Sequence, residues 1–96
     1  MRYHVMVVPR DEAYINNLPL STLAKRLITK FISGAVGGVS DEFREHNRPK
    51  PGSPYFQMRL AFRDWWGDKQ PHTVDFVVND ARVAMGVLEI VWVDYQ

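Results

Sequence analysis

Residues 20–35 read LSTLAKRLITKFISGA. The apolar positions Leu20, Leu23, Ala24, Leu27, Ile28, Phe31, Ile32 and Ala35 recur at i, i+3, i+4 and i+7, which is one stripe of an amphipathic helix. A stripe of that length needs an apolar surface to lie on. Ser21 is placed to cap the helix, because its hydroxyl can accept from an unpaired N–H of the first turn. Gly34, or the Gly37-Gly38 pair, is placed to stop it.

The surface comes from the flanking segments. Downstream, residues 55–63 (YFQMRLAFR) alternate, with Phe56, Met58, Leu60 and Phe62 on one side and Tyr55, Gln57, Arg59 and Arg63 on the other. Residues 73–78 (TVDFVV) repeat the pattern with Val74, Phe76 and Val78 inward, and Asn79-Asp80 marks the next turn. A last strand, from about Val83 or Gly86 to Val93, puts Leu88, Ile90 and Trp92 on one face and Val87, Val91 and Val93 on the other. Upstream, residues 2–8 (RYHVMVV) form a first strand, which Pro9-Arg10-Asp11-Glu12 ends, and Asn16-Asn17-Leu18-Pro19 leads into the helix. Between helix and sheet, Ser40-Asp41-Glu42 opens a short second helix to about Asn47, its acids at the positive end of the dipole. Three prolines between Pro49 and Pro54 exclude helix and central strand there.

The order is β-α-α-β-β-β. It predicts an α+β two-layer sandwich in a single domain, residues 1–96, with one main amphipathic helix on a largely antiparallel four-stranded sheet. A right-handed crossover would set the first and second strands side by side in parallel, although the pattern leaves the strand order open.

Composition limits how this fold is held together. Of 96 residues 46% are hydrophobic and none is cysteine, so packing rather than disulfides or a thiolate metal site must stabilise it. The opening MRYHVMVVPRDE lacks the apolar run of a signal peptide, and Lys25, Arg26 and Lys30 interrupt the longest apolar stretch, so a cytoplasmic protein with no membrane span is expected. Net charge is +1, yet residues 1–63 hold ten Lys/Arg against five Asp/Glu, and residues 64–96 hold two against six. Either the two parts pair with each other in the fold, or a basic face meets an acidic partner.

Motifs for chemistry are sparse. Gly38-Val39-Ser40-Asp41-Glu42 breaks the G-x-S-x-G nucleophile pattern at its last position, so Ser40 reads as a helix cap. Glu42 and His46 stand at i, i+4, and Glu45 or His72 would have to join them before a metal had enough ligands. Gly34 to Gly38 is glycine-rich but joins two helices and is followed by acids, unlike a phosphate-binding loop. Asp64, Asp68 and His72 share one loop, where a cleft would be needed to gather them for acid–base work. His4 reads as a sheet-face residue.

Signals for contact are stronger. The outer sheet face is expected to carry Arg2, His4, Arg59 and Arg63 beside Met6, Val8, Tyr55, Val77, Val87, Val91 and Val93, more apolar than a solvated face needs to be. Adjacent Trp65 and Trp66 at a strand end point opposite ways, which exposes one of them next to Arg63 in the manner of a binding hot spot. The expectation is a non-catalytic protein without a cofactor that binds and occludes a protein partner through Tyr55, Arg59, Arg63, Trp65 and Trp66, with a homodimer through the same face as a further possibility. Small chains of this style are common among inhibitors of host defence carried by phages and mobile elements, anti-CRISPR proteins included; no residue pattern marks a family. The alternative is a nucleic-acid-binding module using the basic helix face of Lys25, Arg26 and Lys30, extended by Arg44, Arg48, Lys50, Arg59 and Arg63.

Overall fold

Pro9 starts a helix instead of leading into a loop. The computed structural model describes residues 2–62 and 72–96, and its elements are β1 (His4–Val7), α1 (Pro9–Asn16), α2 (Thr22–Gly37), α3 (Asp41–His46), β2 (Tyr55–Phe62), β3 (His72–Asn79), a 3-10 turn (Val83–Met85) and β4 (Val87–Tyr95). The expected β-α-α-β-β-β order therefore gains one helix, α1. Proline suits the first helical position because its missing N–H would be unpaired there anyway, and Asp11 and Glu12 complement the positive end of the first turn. The fold class is α+β, as the sequence predicts.

Strand order is β1-β4-β3-β2. The last three strands form the expected antiparallel meander, with Tyr55 opposite Asn79 and Phe62 opposite His72. The parallel neighbour of β1 is β4, not β2: His4 pairs with Val87 and Val7 with Ile90. The helices carry the chain from β1 to the far edge, and the meander then returns it to β1.

Both long helices lie on one face of the sheet. Ala24, Ile28, Ile32 and Val36 of α2, with Ile15 of α1, meet Phe56, Val74, Phe76, Val78, Leu88, Ile90 and Val93, all of them buried. Full burial of one such aliphatic or aromatic side chain is worth roughly 1.5–3 kcal/mol, and this core stands where a cysteine-rich domain would use disulfides. Ser21 caps α2 by accepting from the Ala24 N–H at 3.1 Å, and Ser40 caps α3 by accepting from the Phe43 N–H at 3.1 Å. The buried stripe of α2 is rotated from the centre of its apolar pattern, leaving Leu23 66% exposed on its flank. Gly37 brings α2 close to the residue before β1: the Tyr3 N–H donates to its carbonyl at 3.0 Å, and a Cβ there would stand 3.3 Å from the Tyr3 oxygen.

Oppositely charged parts of the chain meet in this fold. Asp80, buried at the β3 turn, accepts from Arg44 at 2.8 Å and from Arg48 at 2.5 Å. Arg44 also pairs with Asp41, and Arg48 with Glu45. Burial pushes the Asp80 carboxyl up, but the bonds from Arg48 and Arg44 outweigh it and hold the group below its ordinary range. Among the described residues no helix is long and apolar enough to cross a membrane.

Candidate functional site

β4 contains one residue more than its neighbour can pair. Val77 lies opposite Trp92 and Val78 opposite Ile90, which leaves Val91 as a bulge. A bulge shifts the two-residue alternation by one, so every side chain beyond it changes face. Regular alternation predicts Trp92 inward and Val93 outward. The structure reverses both: Val93 is 5% exposed in the core and Trp92 is 44% exposed on the outer face.

Four strands present that face in cross-strand rows. Trp92, Val77 and Gln57 form one row, and Met6, Glu89, Asn79 and Tyr55 form another. Met6 is 43% and Tyr55 41% exposed. Asp94, Asp75 and Arg59 make a third row, in which Arg59 grips Asp75 with two bonds of 2.6 and 3.0 Å. The hydrogen bonds and charge of Asp75 raise the Arg59 pKa, and those of Arg59 lower that of Asp75. Among these rows lies a depression of about 450 Å³ whose lining includes Trp92, Val77, Gln57, Arg59, Asp75 and Asn47.

The sequence-predicted contact residues divide. Tyr55 and Arg59 are on the outer face, with Arg59 already partnered by Asp75. Arg63, Trp65 and Trp66 lie outside the described residues, as do Asp64 and Asp68. Val8 follows the end of β1 as the extended residue before α1, and its N–H still donates to the Ile90 carbonyl at 3.1 Å. Both long helices pack on the inner face and β4 carries the chain to Tyr95 within the sheet, so no described element covers the outer one.

Lys25, Arg26 and Lys30 do converge. They line a groove of about 750 Å³ between α2, α1 and the edge of β1, with Val5, Val7 and Ile15 below them. The Lys25 ammonium donates to the Asn16 carbonyl at 2.6 Å, which fixes the C-terminal end of α1 against α2. Of the residues expected to extend this patch, Arg44 and Arg48 face Asp80 and Arg59 faces Asp75, while Arg63 lies outside the described residues.

Groups considered for chemistry have structural partners. His46 Nδ1 lies 3.0 Å from the backbone carbonyl of Glu42. His72 is buried, with its Nδ1 2.6 Å from the Tyr95 hydroxyl. Among the described residues no three His, Cys, Asp or Glu side chains come together as metal ligands do. Gly34 to Gly37 belong to α2, so only Gly38 is left in the turn between helices. No family model, curated protein or solved structure matches the chain.

Proposed function

We propose that this chain is a non-catalytic binding protein, at work in a reducing, cytoplasmic setting, that occludes a protein partner through the outer face of its sheet. The observation that carries the reading is the bulge at Val91, which sets Trp92 beside Val77 and the Arg59–Asp75 pair. Tryptophan and arginine are the side chains most often found at the energetic centre of protein interfaces, where a rim of weaker contacts keeps water out. Met6 and Tyr55 lie in the neighbouring row and supply part of such a rim.

Affinity capture from the native host, run in parallel with the native chain and with Trp92→Ala, tests the proposal. The native chain retains a protein that the variant loses. A protein held equally by both places the interface elsewhere. Sedimentation of the purified chain tells whether the partner is a second copy, since a dimer through this face would dissociate in the variant.

A further inference from the structure

We propose a second binding site, independent of the outer face: the groove between β1 and α2 takes an extended acidic peptide, which adds to β1 as a fifth strand. Within the described residues β1 is a sheet edge. The N–H of His4 donates to Gly86, the residue before β4, and that of Val8 to Ile90 within it. Strand alternation therefore turns the N–H and C=O of Tyr3, Val5 and Val7 the other way. Tyr3 donates to the last turn of α2, whereas Val5 and Val7 have no backbone partner among the described residues.

Alternation points those unpaired groups away from β4, and Val5 and Val7 both line the groove. Helix α2 touches β1 at Gly37, and its other end is tied to α1 by Lys25, so the space between remains open. A second, smaller depression shares Val5 and Ser33 with the groove and continues it along β1 as far as Arg2. A Cβ built on Gly34 meets nothing within 4 Å, so this wall of α2 stands clear of the strand. The geometry is that of peptide recognition by strand addition, in which main-chain bonds supply affinity and alternate side chains supply specificity.

Charge selects the occupant. The wall over the groove carries Lys25, Arg26 and Lys30 with the hydroxyls of Thr22, Thr29 and Ser33, against the single acid Glu12. Alternate side chains of an added strand would point to that wall, and carboxylates there meet both cations and donors. A nucleic acid fits less well, because the cations occupy one short helix wall and the arginines that would extend a phosphate track are paired elsewhere.

The probe is a short end-capped peptide alternating glutamate and valine, titrated into the isotope-labelled full chain. At saturation, amide exchange at Val5 and Val7 slows by at least about tenfold. The double variant Arg26→Glu, Lys30→Glu, both exposed side chains, keeps its melting temperature and binds at least about tenfold more weakly. The matching lysine–valine peptide does not bind, and Trp92→Ala binds like the native chain, which separates this site from the outer face. The proposal is overturned if the glutamate–valine peptide fails to bind, if it binds without slowing exchange at Val5 and Val7, or if a single-stranded oligonucleotide of about ten residues displaces it from the groove.

Discussion

Arg44 and Asp80 form a buried ion pair 2.8 Å long that joins α3 to the turn after β3, and Arg48 shares the same carboxylate oxygen. Neither side chain is more than a tenth exposed. One buried carboxylate thus serves two guanidinium groups away from water. Removing it would leave each cation with only its more exposed acid, Asp41 for Arg44 and Glu45 for Arg48.

Asp80→Asn should cost about 3 kcal/mol at neutral pH, the usual result of breaking a buried pair from one side. The Asp80 pKa in the folded chain is below its ordinary 3.8, so its contribution is full above 3.8 and is lost as pH falls through the lower folded value. Urea denaturation at pH 7 and again near the acid limit of folding should show the gap between native chain and variant narrowing at the lower pH.

Trp92→Ala should separate binding from folding. Because the indole is exposed, urea denaturation should place the variant within about 0.5 kcal/mol of the native chain. Partner affinity should fall by at least about 2 kcal/mol if Trp92 is the hot spot. Isothermal titration against the captured partner measures the second quantity.

Two glycines in one helix should respond with opposite sign. Gly34→Ala gains helix propensity without steric conflict and should stabilise by roughly 0.5–1 kcal/mol. Gly37→Ala presses a methyl to 3.3 Å from the Tyr3 carbonyl and 3.6 Å from Val5, and should destabilise by parting α2 from β1. Thermal melts of the pair check both.

Deleting Val91 should be tolerated. Without it Ile90 still points inward, Trp92 outward and Val93 inward, so the core is kept and only the bulge disappears. The bond from Arg10 to the Val91 carbonyl would have to be remade by a neighbour. A cooperative urea transition weakened by no more than about 2 kcal/mol is the expected result.

Much of the fold is readable from local pattern, and the failures have physical causes. Helix α2 announces itself by a stripe of 3.6-residue period, with serines capping both it and α3. Helix α1 hides because Pro9 reads equally as a strand terminator or a first helical residue, and eight residues are too few to show a period. The pairing of β1 with β4 depends on residues far apart in the chain, so no local signal encodes it. The face of Trp92 is illegible for another reason: Val91, Trp92 and Val93 are all apolar, so either phase of β4 puts a plausible side chain in the core. The basic residues of the groove are evident from the sequence, but their cavity needs α1, and that helix was not expected.

The pairing of β1 with β4 also orders events in time. The meander from β2 to β4 can close through short connections, whereas β1 must wait for a partner that begins only at Val87. Of the four strands β1 should therefore be the last to be secured, and late, long-range pairing slows folding. Substitutions in β1, such as Val7→Ala, should accelerate unfolding while leaving the refolding rate nearly unchanged, whereas Val78→Ala in the meander should slow refolding. Until β4 is in place, β1 has two open edges, and a nascent or unfolding chain passes through a state able to lend that strand to a neighbouring molecule.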